Sequence, residues 1–98
     1  MKIIGIIPNL ARDKKLHTTK KLISRLKEKD LSVYVSKQIA SYLQDEAIGI
    51  EEEELYKECD VIIAIGGDGT ILSIAQNASL SDVPILGINL GRLGLLAD

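Results

Sequence analysis

The first eight positions behind Met1 set the theme of the chain: Lys2 leads into Ile3-Ile4-Gly5-Ile6-Ile7, and Pro8 with Asn9 ends the run. An apolar stretch rich in β-branched residues and without polar alternation suits a strand buried on both faces. From Leu16 to Lys29 the pattern changes, with Leu16, Leu22, Ile23 and Leu26 spaced among lysines and one arginine. That is one stripe of an amphipathic helix. Leu31 to Ser36 predicts a second strand with Val33 and Val35 on one face. Ile39 to about Gln44 predicts a short helix, and Glu51 to Glu58 another turn or two.

Asp60 to Ile65 is the best-defined strand, carrying Val61-Ile62-Ile63-Ala64-Ile65. Thr70 to about Ala78 predicts a helix with Ile71, Leu72, Ile74 and Ala75 against the sheet. Pro84 to Ile88 predicts the next strand, and a proline is tolerated as a strand's first residue. Strands alternating with helices require parallel pairing and right-handed crossovers. The expected fold is α/β: an open, mostly parallel sheet of about four strands with flanking helices. No internal repeat, low-complexity segment or linker interrupts it.

Behind the best-defined strand stands Gly66-Gly67-Asp68-Gly69-Thr70. Ligands of open parallel sheets bind beyond the carboxyl ends of the strands. Glycines let a backbone turn sharply and bring its N–H groups near a ligand. The helix that follows offers unsatisfied N–H groups and a positive dipole end, which favour phosphate. Asp68 stands in the same place, where a bare carboxylate repels phosphate. It therefore faces either a divalent cation bridging phosphates or a hydroxyl to be aligned or deprotonated during transfer, and both point to phosphoryl transfer. The structural alternative is that Asp68 or Thr70 only N-caps the helix. Capping does not account for three glycines in four positions, each with an entropic cost. Neither a G-x-x-x-x-G-K-[ST] loop nor a G-x-G-x-x-G behind the first strand is present.

A second glycine cluster, Gly87-Ile88-Asn89-Leu90-Gly91-Arg92-Leu93-Gly94, follows the last strand. Adjacent strand ends bring it beside the first, so the two form opposite walls of one crevice. Asn89 is suited to hydrogen-bond a nucleotide or orient Asp68, or else to satisfy its own turn backbone. Arg92 either meets a phosphate or is a solvent-facing loop charge.

Composition narrows the partners. With 98 residues there is room for one core, and a formal charge of −2 gives no electrostatic case for nucleic acid or an anionic membrane. No stretch is long enough to span a bilayer. Cys59 is the single cysteine, so no intrachain disulfide forms, and packing at a strand start is its expected role. A cytoplasmic location follows. His17 has no second His or Cys nearby to make a metal site. The Glu51–Glu54 run suits a solvated helix N-terminus. Lys14, Lys15, Lys20 and Lys21 are read as solvated, with phosphate guidance as the alternative.

Gly66-Gly67-Asp68-Gly69-Thr70-Ile71-Leu72, followed by Pro84-Ile85-Leu86-Gly87-Ile88-Asn89-Leu90-Gly91-Arg92-Leu93-Gly94, resembles the NAD kinase family, as does the opening Lys2-Ile3-Ile4-Gly5-Ile6-Ile7-Pro8-Asn9. Lipid kinases carry relatives of the glycine–aspartate motif, but they continue with Asn-Glu where this chain has Leu72-Ser73. Their second loop reads Gly-Thr-x-Asn-Asp, where this one has Asn89-Leu90-Gly91-Arg92.

The resemblance implies transfer of a phosphoryl group from ATP, or polyphosphate, to the adenosine 2′-hydroxyl of NAD, with Mg²⁺ or another divalent ion. It implies that Asp68 takes or orients the 2′-hydroxyl proton. Carboxylates are weak bases at pH 7, so alignment of the nucleophile matters as much as proton removal. It further implies nucleotide contacts at Gly66, Gly67, Gly69 and Thr70, with Gly69 admitting the ligand and Leu72 lining the crevice on the helix side. Asn89, Arg92 and Leu95 complete the implied set, Leu95 replacing an aromatic residue of the family. The chain stops at Asp98, about where the family passes into a second, β-rich domain. The expectation is one α/β nucleotide-binding domain over residues 1–98, catalytically inactive alone, from an enzyme that assembles as a homo-oligomer through the missing domain. The alternatives are a non-catalytic nucleotide-binding module and a lipid kinase-like domain.

Overall fold

A computed structural model describes residues 2–44 and 46–92. The elements run β1 (Ile3–Pro8), a 3₁₀ turn (Lys14–Leu16), α1 (His17–Glu28), β2 (Ser32–Ser36), α2 (Lys37–Ala40) and β3 (Ile48–Ile50). They continue with α3 (Glu52–Glu58), β4 (Val61–Gly66), α4 (Asp68–Ala78), β5 (Ile85–Asn89) and a 3₁₀ turn (Leu90–Arg92). All five strands are parallel, in the order β3-β2-β1-β4-β5.

The order reverses at β1. The chain leaves β1 towards β2 and β3, then crosses back to lay β4 on the other side. Successive side chains of a strand point to opposite faces, so each central strand feeds both layers. Ile63 and Ile65 of β4 join Ile4, Ile6, Val33 and Val35 beneath Ile23 of α1 and Ile39 of α2. Ile62 and Ala64 meet Leu55 and Tyr56 of α3 and Ile74 and Ala78 of α4 on the other face. Helices cover both faces, which accounts for the unbroken apolar runs at β1 and β4.

Four features differ from the sequence expectation. The sheet has five strands, because Ile48-Gly49-Ile50 pairs with β2 as a short edge strand. Three residues with a central glycine make too brief a pattern to read. A Cβ on Gly49 would stand 2.7 Å from Ala40 Cβ, so the glycine lets α2 press onto the edge. α2 itself occupies Lys37–Ala40, where the Ser36 hydroxyl accepts from the Ile39 N–H at 3.2 Å and starts the helix before Ile39. α4 begins at Asp68 rather than Thr70. Leu72, expected against the sheet, is 60% exposed. Ile71, Ile74, Ala75 and Ala78 form the inward stripe, and a 100° step from Ile71 carries Leu72 off it.

The entry to α1 is strained and secured. Lys15 and Leu16 both lie in the left-handed region at φ 55°, a conformation costing about 1–3 kcal/mol per non-glycine residue. Asp13, only 2% exposed, accepts from the N–H groups of Thr18 and Thr19 at 2.9 Å and from Thr19 Oγ1 at 2.6 Å. Hydrogen bonds to a carboxylate contribute about 1.5–3 kcal/mol each, enough to offset the strain.

Cys59 packs where expected. It is buried, and burial, followed by the charges of Asp60 and Glu58, pushes its thiol up to about 11. A Cβ on Gly5 would lie 2.7 Å from its sulfur, so the bare backbone of β1 makes room for it. Gly5→Ala is expected to destabilise the fold by about 1–3 kcal/mol in denaturant unfolding, with much of that loss recovered when Cys59→Ala is added. Additive losses in the double variant would mean that the sulfur is not the obstacle.

Candidate functional site

The reversal of strand order opens a crevice beyond the carboxyl ends of β1 and β4, the usual ligand position in this kind of sheet. Asn9 enters it from β1. Gly66 to Thr70 enter from β4, and Asn89 stands at the end of β5, paired in register with Gly66. The two glycine clusters are therefore neighbours, as the sequence suggested.

Asn9 joins the walls. Its N–H donates to the Ile65 carbonyl at 2.8 Å, and its side-chain Nδ2 donates to Thr70 Oγ1 at 2.8 Å. This bridge crosses directly over Gly66. A Cβ there would stand 2.9 Å from Thr70 Cβ and 3.0 Å from Asn9 Cβ. The glycine is needed for this close approach and not for a sharp turn, since no glycine among the described residues has a positive φ. That replaces the turn argument made from the sequence.

Gly67 is the N-cap of α4, extended at φ −97° and ψ −177°, and no side chain caps the helix. Capping by Asp68 or Thr70 is thus not observed: Asp68 is already in the first helical turn, and the Thr70 hydroxyl accepts from Asn9. The acid at this end interacts favourably with the helix dipole. Asp68 is exposed, and Asn89 Nδ2 donates to its Oδ1. Asn89 thus stands where it can orient Asp68. Gly69 is exposed on the first turn of α4, and a Cβ there would meet nothing within 4 Å.

Other expected residues fall outside this set. Arg92 ends the second 3₁₀ turn, and its side chain, like Leu95, lies outside the described residues. Leu72 lies on the solvent side of α4. Among the described residues no group of three or more His, Cys, Asp or Glu is placed to hold a metal ion, and no helix is long and apolar enough to cross a membrane. Grooves of about 410 Å³ lie between α3 and α4, at Glu52, Tyr56 and Asn77, and beside Leu10, Lys15 and Tyr42. Neither includes a residue of the glycine motif.

Sequence reasoning missed Arg12. Its guanidinium reaches across the crevice, 3.2 Å (Cζ) from where a Cβ on Gly67 would stand and 2.9 Å (Nη1) from one on Gly91. The available signal was a cation in the loop after the first strand, facing a later glycine loop. Only the strand order makes those segments neighbours.

The family model for the ATP-NAD kinase N-terminal domain matches residues 4–98. An NAD kinase of Thermoanaerobacter sp. (strain X514) is 40% identical over 98 residues, covering all of this chain and 35% of its own length. The NAD kinase of Natranaerobius thermophilus is 37% identical over the whole chain, which covers 34% of that relative. That of Acetivibrio thermocellus is 40% identical over 95 residues, 97% of this chain and 33% of its own. The chain spans about a third of the length of the curated relatives it matches.

Two glycines of opposite character test this geometry, Gly66 buried and Gly69 exposed. Gly66→Ala is expected to destabilise the protein by about 1–3 kcal/mol by wedging Asn9 from Thr70. Gly69→Ala is expected to be neutral or to stabilise by up to about 1 kcal/mol, since helical alanine loses less entropy and meets open space. Urea unfolding of both variants measures the contrast, and equal effects would contradict it.

Proposed function

The chain belongs to the NAD kinase family, and we propose that the protein carrying it transfers a phosphoryl group from ATP, or polyphosphate, to the 2′-hydroxyl of the adenosine ribose of NAD. The observation that carries this reading is Asp68, an exposed carboxylate on the first turn of α4, hydrogen-bonded by Asn89 from the neighbouring strand end. The 2′-oxygen attacks the terminal phosphorus, the bond to the bridging oxygen of the leaving group breaks, and Asp68 receives the hydroxyl proton. An amide cannot take that proton, so Asn89 holds the carboxylate's orientation without competing for it. Fixing a nucleophile in line accounts for a large share of phosphoryl-transfer catalysis.

Gly66, Gly67, Gly69 and Thr70 shape the nucleotide side of the crevice in this reading, with Gly69 leaving room for the ribose. Leu72, Arg92 and Leu95 are further candidate contacts. A divalent ion such as Mg²⁺ would be held mainly by phosphate oxygens of the ligand, with Asp68 as the candidate carboxylate, and would supply neutralisation of charge on the transferred group. The chain spans about a third of the length of its curated relatives, and the reading includes a second, β-rich wall from chain beyond these 98 residues, through which the enzyme also assembles as a homo-oligomer. A cytoplasmic setting belongs to the same reading, supported by a lone buried cysteine kept as the thiol.

In the full-length protein, Asp68→Asn is expected to lower kcat for NADP formation by about 10²–10⁴-fold or more, while NAD and ATP affinities stay within roughly tenfold. An enzyme-coupled NADP assay with parallel calorimetric titration measures both. A variant with near-normal kcat would remove Asp68 from the mechanism.

A further inference from the structure

Arg12 has no counterpart in the readings above. It sits on the loop that Asn9 orders, where its N–H donates to the Asn9 carbonyl at 3.0 Å and lies 3.3 Å from Asn9 Oδ1. Its guanidinium occupies the space that side chains at both Gly67 and Gly91 would need. Neither glycine has a positive φ, so backbone conformation does not call for them. Both are bare where a cation lies over them. The Cβ position of Gly91 is also 3.3 Å from Asn89 Oδ1, so the guanidinium and the amide that orients Asp68 share one neck of the crevice.

An arginine that served only to tie two loops would donate to their carbonyls. This one touches both loops, yet among the described residues it makes no side-chain hydrogen bond or ion pair. Arg12 is exposed, and its guanidinium lies over Gly67, the residue before the Asp68 carboxylate. A guanidinium's fork matches two oxygens of a phosphate, and its charge offsets the repulsion that Asp68 exerts on such a ligand. We infer that Arg12 binds a phosphate group of the nucleotide laid across the Gly67 and Gly91 loops, an inference that rests on the kinase reading of the same crevice.

The test titrates full-length wild type, Arg12→Gln and Arg12→Lys with ATP, NAD and inorganic tripolyphosphate, alongside thermal melts and NADP formation. Arg12→Gln should weaken at least one ligand by roughly tenfold or more while melting within about 2 °C of wild type, and Arg12→Lys should recover part of the loss. Weakening of ATP and tripolyphosphate assigns the phosphate to the donor, and weakening of NAD alone assigns it to the dinucleotide. In kinetics the change should fall on the KM of that same substrate more than on kcat. Affinities unchanged within about twofold, with or without a lowered melting point, would make Arg12 a loop residue and overturn the inference. So would a wild-type protein that binds none of the three ligands. Absent NADP formation with tripolyphosphate binding still lost in Arg12→Gln would reject the kinase reading and keep the inference.

Discussion

The hydrogen bond from Asn9 Nδ2 to Thr70 Oγ1, drawn across the bare backbone of Gly66, is the constraint on which the site depends. Every polar group of Asn9 is partnered. Its N–H extends the β1–β4 ladder to Ile65, its Oδ1 accepts from Ala11, and its carbonyl accepts from Arg12 and Asp13. One residue thereby sets the start of α4, where Asp68 stands, and the loop that presents Arg12 and Asp13. Asp13 in turn secures the strained entry to α1. A methyl group at position 66 would disturb all of these together.

The fold brings this constraint about through strand order. Strands buried on both faces need helices on both sides, and parallel connections supply them. Reversing direction at β1 makes β1 and β4 neighbours, although more than fifty residues separate them in the chain. Their ends then leave a crevice that no consecutive pair of elements could build. Into it the chain places an acid from the first turn of α4, an amide from the end of β5 and a guanidinium from the loop after β1. The conflict between a carboxylate and a phosphate is met by position: Asn89 fixes Asp68, and Arg12 lies over the adjoining glycines.

Much of this was legible in the sequence. Long β-branched runs identified β1 and β4, because burial on both faces leaves no polar position to confuse the pattern. Gly66 to Thr70 could be placed at a strand end for the same reason, and the partnership of Asn89 with Asp68 followed from adjacent strands. The edge strand Ile48–Ile50 was not legible, since three residues, the central one a glycine, carry no period. Leu72 misled because apolar character was taken for an inward direction, and the true stripe runs one step away. Arg12 and the crossing at Gly66 were hidden for a deeper reason. Each depends on contacts between distant segments, and the glycines that permit them look in sequence like ordinary turn residues.

The most direct measurement is a double-mutant cycle across the bridge, with Asn9→Ala, Thr70→Val and the pair compared for kcat/KM of NADP formation in the full-length protein. If the bridge holds the site, each single variant loses activity and the pair loses little more than the worse single one, a coupling of about 0.5–3 kcal/mol. Losses that simply add, or single variants as active as wild type, would contradict the claim that this crossing organises the crevice.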